Sequence, residues 1–150
     1  MTHRLGTDLF DVLAGVAVVE GTIGTSSDSG LTFSTIPDAK GPISVLIIHG
    51  KNDATIPYDG GQGANPAVWV KSVADASAFW TQTDGCSGAA QTLTSTDGNI
   101  ITADYPDCTV GSEVEVLTIV SGAHQWPSLE NQAHFAGSDA IWEFFARHSK

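Results

Sequence analysis

The chain has 150 residues, and its 17 acidic and 6 basic side chains give a formal net charge of −11. Hydrophobic residues make up 41% and charged residues 15%, which is typical of a globular protein rather than a disordered one. The length favours one domain over residues 1–150. The acidic excess argues against a nucleic-acid partner, because phosphate binding needs clustered lysines and arginines. No apolar run approaches the ~18 residues of a membrane span, so no membrane partner is expected.

Two cysteines, Cys86 and Cys108, are the whole inventory. They are too few and too far apart for a zinc site, so no metal is expected. Because the segment between them is polar, we predict a disulfide that closes an exposed loop, which would imply an oxidising compartment. Two free thiols are the alternative. Residues 1–4 lead straight into mixed polar sequence, and no signal peptide is predicted there.

The first half of the chain predicts one helix and two buried strands. Apolar residues at three- and four-residue spacing in the first dozen positions predict a helix with one buried face. Nearly unbroken apolar runs at residues 15–20 and 43–49 predict strands that are covered on both faces. The segments 21–42 and 50–66 are rich in glycine, serine and proline, and we predict them as long loops.

The second half adds two helices, a hairpin and a third buried strand. Ser72 and Asp75 form a capping-box pattern at the start of a helix that Gly85 closes. Residues 92–102 predict a hairpin that turns near Gly98. Residues 114–120 predict the third buried strand.

A final helix is predicted to begin at a capping Ser138 and to carry Arg147 at its negative end. Strands that alternate with helices or long crossovers indicate an α/β fold. We therefore expect three or so parallel strands with flanking helices and a small hairpin.

Two titratable residues follow predicted strands at the same distance. Asp53 lies four residues after the second strand, and His124 lies four residues after the third. Because catalytic groups gather at the carboxyl ends of parallel strands, we expect the two side chains to meet there. A carboxylate that orients an imidazole forms the acid–base half of a hydrolytic triad. We do not expect a catalytic role for the other histidines; for example, His49 is predicted in the core and His3 on the surface.

The segments around this pair resemble a known family. His49-Gly-Lys-Asn-Asp53-Ala-Thr-Ile-Pro-Tyr58 is similar to the H-G-x-x-D-x-x-V-P-Y motif of secreted α/β-hydrolase esterases, the polyhydroxybutyrate depolymerase and feruloyl esterase group. Gly-Ala-His124-Gln-Trp126-Pro is similar to their G-x-H-x-W-P motif. The resemblance implies carboxylic ester hydrolysis, with Asp53 orienting the base His124, and with no cofactor. It also implies a Cys86–Cys108 disulfide and a secreted or periplasmic location.

The chain departs from this family at the nucleophile. Neither Gly24-Thr25-Ser26 nor Gly85-Cys86-Ser87 completes the G-x-S-x-G elbow in which the family places its serine. The first five residues resemble the helix that follows the elbow, so the chain is expected to be the carboxyl-terminal half of a truncated α/β-hydrolase.

Four other serines are weak candidates for a substitute nucleophile, because they lie in loops next to predicted strand ends: Ser26, Ser27, Ser29 and Ser121. A further route is water activated directly by the Asp53–His124 pair. Tyr58 and Trp126 flank the pair, either as rim packing or as an aromatic wall for an acyl or aryl group.

The expected substrates are small-molecule or polymeric esters, including polyhydroxyalkanoates, aromatic polyesters such as poly(ethylene terephthalate), and feruloyl-type esters. The alternative is an inactive or split-half remnant that binds a ligand or an amino-terminal partner fragment carrying the serine. A truncated sheet would expose one side of the strand at residues 15–20. We therefore also predict a homo-oligomer that forms through this open edge.

Overall fold

The structure is a computed structural model that describes residues 1–149. Within this range the chain forms three α-helices and nine strands, with one short 3-10 turn at Thr109–Gly111. In chain order the elements are α1 (Thr2–Asp8), β1 (Gly15–Val19), β2 (Gly24–Ser26), β3 (Ser34–Thr35), β4 (Ser44–Gly50), β5 (Gly61–Gln62), β6 (Trp69–Val70), α2 (Val73–Thr83), β7 (Gln91–Thr94), β8 (Ile100–Tyr105), β9 (Val114–Ile119) and α3 (Gly137–Arg147).

The strands form two sheets. The larger sheet has five strands in the order β1-β4-β9-β8-β7, and it is mixed. β4 pairs in parallel with β1 on one side and with β9 on the other, whereas β8 and β7 continue the sheet as an antiparallel hairpin. The smaller sheet has the order β3-β2-β6-β5, and all of its pairs are antiparallel.

The expectation of a parallel-stranded α/β-hydrolase fold is wrong. The chain is mostly β, and its three helices are short, with 11 residues at most. Segments predicted as loops at residues 21–42 and 50–66 supply β2, β3 and β5 of the second sheet. These strands are only two or three residues long, which is too short for a period-two pattern to distinguish a strand from a loop. The hairpin was predicted, but not its place within the main sheet.

The core lies on both faces of β4, whose seven residues are all buried. Side chains of β4 alternate between the faces. Val45 and Ile47 pack in the cluster that contains Trp80 of α2, and Leu46 and Ile48 pack in the cluster that contains Phe144 of α3. This double covering accounts for the unbroken apolar run in the sequence, because neither face of the strand meets water.

Both ends of α2 follow the sequence prediction. The Ser72 hydroxyl accepts a hydrogen bond from the Asp75 backbone, and the Asp75 carboxylate accepts one from the Ser72 backbone. Gly85 has φ +61 just after the helix, where a residue with a side chain would be strained. The predicted disulfide between Cys86 and Cys108 is confirmed.

The start of α3 differs from its prediction. The helix begins at Gly137, and the residue at its N-cap, Ala136, makes no side-chain capping bond. The Ser138 hydroxyl instead accepts a hydrogen bond from the Trp126 indole at 3.3 Å. At the other end, Arg147 binds Glu113 and Glu115 at 3.0 and 2.7 Å.

His3 of α1 is buried, although the sequence predicts it at the surface. The Trp80 indole N–H donates to His3 Nδ1 at 2.9 Å, which ties α1 to α2. Burial lowers the pKa of His3 to about 4, so this ring stays neutral and keeps its acceptor nitrogen. Gly6 makes room for the indole, because a Cβ there would lie 2.9 Å from Trp80 Cη2.

No helix within residues 1–149 is long and apolar enough to cross a membrane.

Candidate functional site

The candidate site is assembled by two loops that leave adjacent parallel strands. The segments that follow β4 and β9 stay in contact, because Lys51 N–H donates to Ile119 O and Asn52 N–H donates to Gly122 O, each at 2.9 Å. Gly50 and Gly122 allow this approach, since a Cβ on Gly50 would lie 2.5 Å from Gly122 O. Asp53 and His124 lie just beyond these contacts, so the paired loops bring their side chains together.

Asp53 is held rigidly at the base of the site. Its side chain is 0% exposed, and Oδ1 accepts hydrogen bonds from the backbone N–H groups of Thr55 and Ile56, each at 2.8 Å. These bonds fix the carboxyl plane through an Asx-type turn. Oδ2 therefore has a defined direction toward the imidazole of His124.

His124 joins Asp53 through one ring nitrogen, and its side chain is partly exposed. Nδ1 lies 2.8 Å from Asp53 Oδ2, and the His124 side chain is 41% exposed. Because the carboxylate oxygen is the acceptor, Nδ1 carries the proton and the Nε2 of a neutral ring keeps its lone pair. No protein partner of Nε2 is found among residues 1–149, so this nitrogen can take a proton from a bound molecule.

His49 supports Asp53 from the strand side. Its Nε2 lies 2.9 Å from Ile56 O and 3.2 Å from Asp53 Oδ2, and the ring packs edge-on against Tyr58. Both neighbours of Nε2 are acceptors, so this nitrogen carries the ring proton. Burial lowers the pKa of His49 below its usual range, which favours a neutral donor. The predicted core position of His49 agrees with its 1% exposure.

Glu20 is a member of the cluster that the sequence reasoning missed. Its carboxylate Oε2 lies 3.4 Å from His124 Nδ1, and its side chain is 6% exposed. Burial raises the pKa of Glu20 to about 7, the nearby Asp53 carboxylate adds to this effect, and a hydrogen bond from the Gln125 backbone opposes it. Glu20 follows β1 directly, so the rule that selected Asp53 and His124 at strand ends could have found it.

Glu20, Asp53 and His124 are the one group among residues 1–149 whose ligand atoms are close enough to share a metal ion. One atom each of Glu20, Asp53 and His124 lie within 4.8 Å of one another. His124 would bind a metal through Nδ1 only after losing the proton that it donates to Asp53. The arrangement therefore fits proton transfer without further change, whereas metal binding would have to break its shortest hydrogen bond.

The four predicted substitute serines do not join the pair. Within residues 1–149 no hydrogen bond connects any of them to His124. The Ser26 hydroxyl bonds to the Asp28 carboxylate, and the Ser121 hydroxyl bonds to Asn99 Oδ1 at 2.7 Å. Ser27 and Ser29 are exposed in the loop after β2. No hydrogen bond therefore marks any of the four as the partner of the imidazole, and the nucleophile stays unassigned.

Tyr58 and Trp126 line separate cavities. The Tyr58 hydroxyl bonds to Thr118 Oγ1 at 2.8 Å, and its ring borders a cavity of about 230 Å³ between α2, β8 and β9. Trp126 is 56% exposed and borders a groove of about 320 Å³ with Pro127 and Leu129. Whether the two rings serve as rim packing or as an aromatic wall for an acyl or aryl group stays a prediction.

Comparison of the chain with protein-family models, with curated proteins and with solved structures finds no match. Support for a function therefore comes from the geometry of the site and from the sequence motifs around Asp53 and His124.

The role of Asp53 as an acceptor for its own loop gives a stability test. Asp53→Ala removes the acceptor of the Thr55 and Ile56 N–H groups, whereas Asp53→Asn keeps an oxygen at Oδ1. We expect Asp53→Ala to lower the free energy of unfolding by about 1 to 2 kcal/mol more than Asp53→Asn does, measured by urea denaturation. Equal losses in both variants would contradict this role for the two backbone hydrogen bonds.

Proposed function

We propose that the protein is a carboxylic ester hydrolase whose base is His124, oriented by Asp53. The observation that carries the proposal is the 2.8 Å contact between a fully buried, doubly anchored carboxylate and an exposed imidazole. The motifs around both residues, which resemble those of secreted esterases, support the choice of an ester as the substrate. Among acyl bonds, an ester suits this site because an alkoxide is a better leaving group than the nitrogen of an amide.

The chemistry can be written with the groups present. His124 Nε2 takes a proton from water as the water oxygen attacks the ester carbonyl carbon. The positive imidazolium that forms is stabilised by the Asp53 carboxylate at Nδ1. The tetrahedral intermediate then expels the alkoxide, which receives the proton from Nε2, so the products are a carboxylic acid and an alcohol. A serine on a separate fragment could replace the water without changing the roles of Asp53 and His124.

The finer parts of the proposal come from the resemblance. Substrates would be hydroxy-acid or aromatic esters, including polyesters and feruloyl-type esters. The exposed Trp126 offers an apolar surface for such groups. The Cys86–Cys108 disulfide supports a secreted or periplasmic location, because disulfides persist in oxidising compartments.

Turnover of a short-chain nitrophenyl ester tests the proposal. We expect His124→Ala to lower kcat/KM by about 10²- to 10⁴-fold, since general-base catalysis contributes on that scale. His134→Asn is the matched control, because His134 is exposed with φ +44, a conformation that asparagine tolerates.

Absence of turnover in the unmodified protein, or equal turnover with His124→Ala, would refute the proposal and favour an inactive remnant. A fluorophosphonate probe identifies the attacking group. No labelling of an active chain would support water, whereas labelling of this chain would require a serine that the geometry does not select. If turnover appears only after a fragment with a serine elbow is added, and that fragment is labelled, the split-half alternative is correct.

A second candidate function is strand pairing with another copy of the chain. β1 is an edge strand, with β4 on one side and no strand on the other within residues 1–149. Glu20 N–H donates to Ile48 O of β4, so by alternation Ala17 N–H faces the open edge. The segment leading into β1 exposes three apolar side chains, Leu5, Leu9 and Val12. We propose that two copies associate here and cover both features.

Light scattering coupled to size exclusion tests this association. We expect a dimer at micromolar concentration, and we expect Ala17→Pro to shift it to monomer, because proline removes an outward N–H without removing a bond to β4. Circular dichroism of the variant serves as the folding control. A compact monomer for the unmodified chain across the concentration range would refute the association.

A further inference from the structure

The carboxylate of Glu20 has no place in the mechanism above, although it faces the same nitrogen as Asp53. His124 Nδ1 has Asp53 Oδ2 at 2.8 Å and Glu20 Oε2 at 3.4 Å. The two carboxylates come from different strand ends, Glu20 from the edge strand β1 and Asp53 from the loop after β4. His124 Nδ1 therefore donates to Asp53 and has a second carboxyl oxygen within 3.4 Å, and the two carboxyl groups are held by different segments of the chain.

The backbone holds Glu20 in this position at a conformational cost. Glu20 has φ +52, in the left-handed region that residues other than glycine rarely adopt, although a glycine follows it directly. Its N–H still donates to Ile48 O at 2.9 Å, so hydrogen bonding to β4 reaches the strained residue just after the end of β1. Strained positions that the surroundings enforce are concentrated at functional sites.

We propose that Glu20 is a positioning residue for His124, a second carboxylate that holds the Nδ1–H and so keeps Nε2 free to act as the base. This inference rests on the proposed function only for the use of Nε2. The placement of the ring proton is a property of the protein alone. Asp53 is the nearer acceptor, so the contribution of Glu20 to the position of the ring proton is largest when the Asp53 carboxylate is removed.

The ionisation of Glu20 sets the conditions for the test. The titratable groups that face its carboxyl are Asp53 and His124, and burial raises its pKa to about 7. Above pH 8 Glu20 carries the negative charge that makes a strong acceptor. The experiment is therefore done at about pH 8.5.

The ring-proton position is measured by long-range ¹H–¹⁵N NMR of the imidazole nitrogens of His124. The starting variant is Asp53→Ser, whose hydroxyl can still accept from the following backbone but is too short to reach His124. We expect Asp53→Ser to keep a largely protonated Nδ1, because Glu20 still accepts. Adding Glu20→Gln should shift the resonances to those of a ring protonated mainly on Nε2.

The matched control is Asp53→Ser with Glu143→Gln, since Glu143 is an exposed glutamate on α3. It should give the same resonances as Asp53→Ser alone. Identical resonances with and without Glu20→Gln would overturn the proposal. A change on adding EDTA to the unmodified protein would also overturn it, because a metal ion would then occupy Nδ1.

If Asp53→Ser does not fold, the Glu20→Gln variant alone provides the second measurement. We expect its Nδ1 proton to exchange with solvent severalfold faster than in the unmodified protein or in Glu143→Gln. An unchanged exchange rate would refute the role of Glu20. Neither measurement uses a substrate, so a protein without esterase activity that shows the expected NMR changes would refute the proposed function and leave this inference standing.

Discussion

The hydrogen bond from His124 to Asp53 is the interaction on which the proposed function depends. It can form because the loops after the adjacent parallel strands β4 and β9 bring the two side chains together. Asp53 could not keep its place without the backbone donors of Thr55 and Ile56, since a buried carboxylate needs partners for its lone pairs. The loop that supplies these donors is itself fixed to the loop after β9. Local turn chemistry and parallel strand pairing therefore determine the geometry jointly.

The parallel pairing of β1, β4 and β9 determines which side chains meet in the site. Each of these strands ends at the same edge, and each is followed by a titratable side chain that reaches the cluster: Glu20, Asp53 and His124. The antiparallel β8 and β7 contribute no member of this cluster. The fold is mostly β, yet the candidate site lies at the part of the main sheet in which neighbouring strands run in the same direction.

The sequence predicted the features that local patterns encode. The buried strand β4, the capping box of α2 and the hairpin each have a short-range signature, and each is present. The disulfide was predictable because the chain has two cysteines and a polar segment between them. The second sheet was missed because its strands have two or three residues and are formed by pairing between distant segments. Glu20 was missed for a different reason, because the strand predicted at residues 15–20 includes it, whereas β1 ends at Val19 and leaves Glu20 just after the strand end. The burial of His3 was missed because its hydrogen-bond partner, Trp80, lies 77 residues away in the sequence.

Acylation of the five histidines by diethyl pyrocarbonate, followed by peptide mass spectrometry, tests most directly whether Asp53 prepares His124 as a base. We predict that His124 reacts faster than the exposed His134, and that Asp53→Asn slows the acylation of His124 while leaving that of His134 unchanged. The buried His3 and His49 should react only when the protein unfolds. Equal rates for His124 and His134, or a His124 rate that does not respond to Asp53→Asn, would contradict the account.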